Sequence, residues 1–574
     1  MKTAIQAICF TLLFSAFSFR AAAEDFTNAL HAYLQQCVHA EIPNGCIVIG
    51  IVDEHGSRVV GCGNLDNGTE QVANGDTVFS IHSMTGAFTR LLLQDMVERG
   101  EMKLDDPAAK YLPKSVKMPT HNGKEITLRH LAQETSGLPN GFPDNVNPKR
   151  ADNPLADYTI EKMFAFVSGC QLTNDPGTTH AHGGVGMGLL GQAMALKAGT
   201  NYESLMVDRI FGPLQMDSTR FTLTPKLKSR FASEHNQFGD TYTIPDWGYM
   251  KYLAGLYLTA NDLLKFMSAF SLTPTGLTPL MEKSMVNFGS LPQLQGWGIN
   301  TNTGGGWVGG SAYAYFDRTR RRGVVVLATS YALKHILGNF LLESEWQSER
   351  RPKETNINRK VYGSYVGQYQ RSPDQPGIGI RREGDRLFAQ ATDSKAWPVD
   401  VLLPPIAAEL LPESETRFFE RLSGNPVTFS RNFLGKVTGL TMDYQGKAFS
   451  YKKISDQPPK APEPVKPRVA IKLDTKLLDA CVGHYEFAPD AVFSAGMKLK
   501  IWREGDQLVS QAWCEGENVL PGAFDIYPES ETIFFDKLLC AQYIFVKNDK
   551  GEVTAVIHHL AGFPDSEGKK LKKE

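Results

Sequence analysis

Phe79-Ser80-Ile81-His82-Ser83-Met84-Thr85-Gly86, running on to Leu104-Asp105-Asp106-Pro107 and Tyr111-Leu112-Pro113, is the stretch on which the fold turns. Met84, Phe88, Leu91, Leu92 and Met96 recur at helical spacing, and Gly100 stands where a glycine after a helix end belongs. The pattern predicts a helix opening at Ser83. A serine at such a position ordinarily caps the helix by accepting backbone N–H groups, so position alone says nothing of chemistry.

Outward from that helix, Cys46–Val52 and Ser57–Gly61 are β-branched runs around Glu54-His55-Gly56, which reads as a hairpin. Helical and loop segments follow to about residue 270. Gly296–Asn300, Ala312–Phe316 and Gly323–Ala328 then read as strands, and a last helix is expected over Lys334–Trp346. Strands near both ends with helices between imply an α/β layer whose sheet is built from both ends and covered by helices.

Past the charged break Glu349–Asn358, the chain repeats itself across the proline-rich spacer Gln457–Arg468. Tyr365-Val366-Gly367-Gln368-Tyr369 matches Cys481-Val482-Gly483-His484-Tyr485, and Arg382-Glu383-Gly384-Asp385 recurs as Arg503-Glu504-Gly505-Asp506. Pro412-Glu413-Ser414-Glu415-Thr416 returns as Pro528-Glu529-Ser530-Glu531-Thr532, and Gly435-Lys436-Val437-Thr438 as Gly551-Glu552-Val553-Thr554. Short strands with regular turns predict two tandem all-β, barrel-like modules. The expected division is a leader over 1–23, a main domain over 24–350, β modules over 359–456 and 469–574, and the linker 457–468.

Met1-Lys2, the apolar run Ala4–Phe19 and Ala21-Ala22-Ala23 form a signal-peptide pattern too short for a comfortable membrane span. Cleavage near Ala23 would leave a periplasmic or secreted protein with no transmembrane anchor. With 42% hydrophobic and 21% charged residues and a net charge of -2, the chain has no basic field to attract nucleic acid. The seven cysteines after the leader are widely spaced and odd in number, which argues against a disulfide framework or zinc site. A Cys46–Cys62 pairing stays open.

The Ser83 region resembles the nucleophile segment of the serine β-lactamase and penicillin-binding protein superfamily (DD-peptidases and class C β-lactamases among them). The resemblance extends over Ile126-Thr127-Leu128-Arg129-His130-Leu131 with Thr135-Ser136-Gly137-Leu138-Pro139, over Pro176-Gly177-Thr178 with Gly188-Leu189-Leu190-Gly191, and over Gly323–Leu327. It implies an α/β (α+β) β-lactamase/transpeptidase-like domain with an antiparallel sheet covered by helices. It also implies that Ser83 is the nucleophile, with the backbone N–H groups of Ser83 and Gly306 as the oxyanion hole. The rest of the family machinery is altered. Gly86 stands at the lysine of S-x-x-K, His182 at the tyrosine of the second motif, Gly184 at its asparagine, and Thr303 at the Lys or His of the third.

A serine hydroxyl needs a neighbouring base, whose help is worth roughly 10²–10⁴-fold. The sequence therefore favours a catalytically impaired relative, a pseudoenzyme that keeps a cleft for a small molecule or a peptide, peptidoglycan-derived peptides among the candidates. Two alternatives stand beside it: a working serine hydrolase with a substituted base, His182 foremost, and an interaction protein acting through its β modules. No cofactor is expected. No metal is expected either, because His180 and His182 lack an identified third ligand. Glu134 and Asp262 could serve as carboxylate bases but read first as surface or capping residues, Arg318–Arg322 reads as a solvated turn, and Trp307 with Tyr313–Tyr315 reads as packing before it reads as an aromatic cleft wall.

Overall fold

The computed structural model describes residues 27–28, 30–32, 34–35, 38, 44–139, 143, 155, 158–235, 241–242, 247–272, 275–288, 301–307, 310–317, 321–330, 354–372, 377–391, 408–421, 424–444, 447–459, 468–489, 496–513, 523–536, 541–559 and 565–571. The expected leader, the strand Gly296–Asn300 and the helix Lys334–Trp346 lie outside them. So do most of the Arg318–Arg322 turn and most of the spacer.

A five-stranded antiparallel sheet organises the first domain. Its strands are β1 (Cys46–Asp53), β2 (Gly56–Gly63), β3 (Thr301–Trp307), β4 (Gly310–Asp317) and β5 (Arg322–Ala328), in the order β2-β1-β5-β4-β3. The two ends of the domain sequence thus meet in mid-sheet, where Ile47 faces Ala328 and Val52 faces Gly323. Every residue of β1 is buried, as its Val/Ile-rich sequence, broken only by Gly50, requires of a strand covered on both faces. Helix Ala260–Ser271 lies close against this pair: a Cβ on Gly50 would come within 2.8 Å of Leu264 Cδ1.

Helix α1 (Thr85–Glu98) runs through the core, with Thr85 to Met96 all buried. The helix is covered on every side, so its buried Arg90 and Gln94 must find partners inside the protein. Phe88 sits between Phe211 and Phe266, with ring centroids 5.8 and 4.9 Å away. Gly100 follows the C-cap with φ +72°, the left-handed glycine that the sequence predicts. The start of the helix differs from expectation. His82–Met84 form a separate 3₁₀ turn and α1 begins at Thr85. No side-chain capping bond closes either start, so Ser83 is not a helix cap.

The repeats are two closed eight-stranded antiparallel barrels, one from Gly367–Gln370 to Lys447–Ser455 and the other from Gly483–Phe487 to Ser566–Lys570. Closure leaves neither with a free edge. The matched residues perform matched tasks. Tyr369 Oη donates to the Tyr365 carbonyl at 2.7 Å, and Tyr485 Oη donates to the Cys481 carbonyl at the same distance. Gly435 and Gly551, at φ +78° and +80°, close equivalent turns on Asn432 and Asn548. Cys46 and Cys62 are free thiols, so the pairing left open by the sequence is not made. Among the described residues, no helix is long and apolar enough to cross a membrane.

Because Phe88 is wholly buried among rings, Phe88→Ala is expected to cost about 3–5 kcal/mol. Chemical denaturation that gives less than about 1 kcal/mol would contradict this packing.

Candidate active site

Ser83 sits half-buried at the centre of the 3₁₀ turn, between a buried His82 and a buried Met84. The turn lies against β3, the sheet edge carrying Thr303 and Gly306, which pair with Ala314 and Ser311. His182 Nε2 stands 3.4 Å from Ser83 Oγ. The other imidazole nitrogen, Nδ1, lies 2.8 Å from Glu134 Oε1. A carboxylate can only accept, so Nδ1 carries a proton, and in the neutral ring Nε2 presents its lone pair to the serine. A serine, a histidine and a buried glutamate are thereby joined in series.

The position of Glu134 follows from local chain geometry. Leu128–Ala132 form helix α2, capped by Thr127. The Thr135 N–H then bonds the His130 carbonyl at 2.9 Å and the Glu134 N–H bonds that of Leu131 at 3.2 Å. This is the Schellman ending, whose left-handed position usually holds glycine. Glu134 occupies it at φ +54°, a conformation that disfavours a side chain. The carboxylate is thus turned into the interior, only 6% exposed, rather than lying at the surface or in a cap as the sequence reading expects.

The histidine segment is fastened to the same place. The Ala181 N–H bonds the Glu134 carbonyl at 2.8 Å, and the Gly177 N–H bonds that of Thr135 at 2.7 Å. His180 Nε2 lies 3.7 Å from Glu134 Oε2, at ion-pair rather than hydrogen-bond distance. Both histidines therefore converge on a carboxylate. Among the described residues, no group of three or more His, Cys, Asp or Glu is arranged to hold a metal ion.

Arg90, two residues past Phe88 on α1, completes the arrangement. Its Nη2 donates to Glu134 Oε2 at 2.9 Å and its Nε to the Ala132 carbonyl at 2.7 Å. Burial acts to raise the Glu134 pKa, but the histidines and Arg90 outweigh it and hold the carboxyl well below the usual carboxylate range. The glycine at the lysine position belongs to this set. A Cβ on Gly86 would meet Leu253 Cδ1 at 3.1 Å and Arg90 Nη1 at 3.2 Å, so Arg90 crowds the space beside it. Gly184 is more restricted still, since a Cβ there would stand 2.4 Å from Met250 Cγ. Two positions that read as losses are closely packed.

Other sequence candidates fall elsewhere. Asp262 accepts from the Ser218 N–H and the Thr219 hydroxyl at 2.8 and 2.9 Å, a structural role. Tyr313 is buried, in accord with packing, while the Trp307 side chain lies outside the described residues. Sequence reasoning passed over Arg90 and undervalued Glu134. Their available signals were an arginine one turn after Gly86 and an acid at a helix end lacking its glycine.

A family model described as Beta-lactamase matches residues 44–335. The chain is similar to the D-alanyl-D-alanine-carboxypeptidase/endopeptidase AmpH of Escherichia coli K12, at 30% identity over 197 residues, covering 34% of this chain and 49% of that protein. It is similar also to a beta-lactamase of the same strain, at 26% identity over 232 residues, or 40% and 57% of the two chains. The chain spans about half the length of these curated relatives. Among solved structures, a beta-lactamase/D-alanine carboxypeptidase from Yersinia pestis is similar at 21% identity, covering 52% of this chain and 90% of that one, with a TM-score of 0.43.

Glu134 also generates a pH dependence. A carboxyl with a depressed folded-state pKa contributes stability that is complete above its unfolded value, about 4.3, and lost as pH falls below it. Glu134→Gln is expected to cost about 3–5 kcal/mol near neutrality by stranding Arg90. The gap in Tm between the two proteins should narrow from pH 7 to pH 3. A gap that widens on acidification would contradict this.

Proposed function

The chain belongs to the β-lactamase family, and we propose that it is a serine hydrolase in which His182 and Glu134 perform the proton transfer usually assigned to the missing lysine and tyrosine. One observation carries this reading: His182 links Ser83 Oγ, at 3.4 Å, to the buried Glu134 carboxylate, at 2.8 Å. The first distance is long for a hydrogen bond, as such bonds often are before substrate tightens them.

In the proposed reaction, Ser83 Oγ attacks an ester or amide carbonyl carbon while its proton passes to His182 Nε2. The resulting imidazolium is held by Glu134, which stays ionised. Backbone N–H groups of Ser83 and Gly306 would receive the oxyanion. His182 then protonates the leaving oxygen or nitrogen, the acyl group remains on Ser83, and water deprotonated by His182 releases it as a carboxylic acid. Arg90 keeps the buried Glu134 ionised without touching substrate. This proposal replaces the impaired relative favoured by the sequence, because a base now adjoins the serine.

The substrate we propose is a neutral acyl ester or amide. The relatives are named for D-alanyl-D-alanine cleavage and for β-lactams. In this chain the third-motif cation is the uncharged Thr303, and the second-motif asparagine is Gly184, with Met250 beside it. Export, to the periplasm or beyond, is proposed on the leader pattern of residues 1–23. A mature N-terminus at Glu24 would bear it out, and recovery of the chain starting at Met1 would count against it.

A fluorophosphonate probe, which phosphonylates activated serines, should label the full chain at one residue, identified as Ser83 by peptide mapping. Ser83→Ala should abolish labelling, and His182→Ala should slow it roughly 10²–10⁴-fold. Short-chain p-nitrophenyl esters should turn over faster than nitrocefin or a D-alanyl-D-alanine peptide. No labelling, or ester turnover that survives Ser83→Ala, would overturn the proposal.

A further inference from the structure

A second histidine–carboxylate pair lies directly behind the serine. His82 Nε2 is 2.8 Å from Glu234 Oε1, with the two side chains 1% and 4% exposed. His82 adjoins Ser83 and holds φ +46°, in the left-handed region that favours glycine. Among the described residues, His82 Nδ1 and Glu234 Oε2 have no hydrogen-bond partner. Among the described residues, the bond between the two is the one hydrogen bond that either side chain makes.

The carboxylate end of the pair is anchored by backbone bonds on either side of Glu234. The His235 N–H bonds the Thr329 carbonyl at 2.7 Å, and the Ala232 N–H bonds that of Val78 at 3.0 Å. Space for the carboxylate is kept by Gly310, the first residue of β4, where a Cβ would lie 2.3 Å from Glu234 Oε1. The Trp247 ring stands edge-on to His82 at 6.0 Å. The serine end is a short turn without a side-chain cap, held by backbone bonds from the Met84 N–H to the Ile81 carbonyl and from the Ile81 N–H to the Leu256 carbonyl, both at 3.1 Å, with the left-handed residue His82 between them.

We infer that His82 and Glu234 form a positioning clamp, which holds residue 82 in the left-handed conformation and so aims Ser83 Oγ at His182 Nε2 and the Ser83 N–H at the developing oxyanion. Neither residue touches substrate; both act through Ser83. The inference rests on Ser83 being the nucleophile. A buried ion pair serving stability alone would make no such demand on the backbone of residue 82.

The ranking of two small residues at position 82 separates these roles. Glycine adopts positive φ readily whereas alanine does not, yet glycine is the poorer residue for stability in most other settings. Saturation kinetics of fluorophosphonate labelling are to be measured on wild type, His82→Ala, His82→Gly and Glu234→Ala, with Tm measured alongside. His82→Ala should lower the limiting labelling rate by roughly 10–100-fold with little change in the half-saturating probe concentration. His82→Gly should recover most of that loss despite lacking the imidazole.

Glu234→Ala, which frees His82, should resemble His82→Ala. It decides the matter if the position-82 variants fail to fold. Equal rates for His82→Ala and His82→Gly, a faster His82→Ala, or wild-type labelling by Glu234→Ala would overturn the clamp while leaving the nucleophile in place. Absence of labelling in the wild type would instead overturn the reading of Ser83, and this inference with it.

Discussion

A carboxylate buried without a partner is among the costliest things a protein interior can hold, at several kilocalories per mole even after relaxation. The candidate site is organised around meeting that cost at Glu134. Arg90 supplies a fixed positive charge at 2.9 Å, and the two histidines and the Gly183 N–H fill the remaining approaches. Three separated pieces of chain are thereby brought to one point: the core helix, the end of α2 and the strand-like segment before Gly184. His182 is aligned with Ser83 as a consequence of satisfying the glutamate.

The same constraint bears on Gly86, at the lysine position, while Gly184 is restricted by a different neighbour. Gly86 leaves room for the guanidinium one turn later, and a side chain there would press on both Leu253 and Arg90. Gly184 begins its helix against Met250. Substituting any one of these residues back toward the family pattern would disturb its neighbours. On the proposed mechanism the arrangement is rewired rather than eroded. It also carries backbone strain in two places, since Glu134 and His82 are both left-handed without being glycine. Such conformations persist only where the surroundings over-determine them. At Glu134 that restraint comes from the Schellman bonds and Arg90, and at His82 from Glu234.

Much of the architecture was legible from the chain alone because it rests on local or repeated signals. The two barrels were visible in paired sequences such as Tyr365–Tyr369 and Cys481–Tyr485, since the same tyrosine-to-carbonyl bond must be made twice. The central helix and its terminal Gly100 followed from periodicity, and the sheet closing through Cys46–Asp53 and Arg322–Ala328 followed from β-branched runs. The start of the helix was misplaced by two residues. Periodicity does not distinguish a 3₁₀ turn from the first turn of an α-helix.

The sequence by itself determined where the proposed nucleophile stands and which residues around it depart from the motifs it resembles, because those are statements about identity at a position. Only the tertiary structure decided what stands in their place. His182 and Glu134 are 48 residues apart, and Arg90 is 44 from Glu134, so no spacing rule links them. What links them is the electrostatic demand of one buried carboxylate, which acts through space and leaves no periodic trace in the chain.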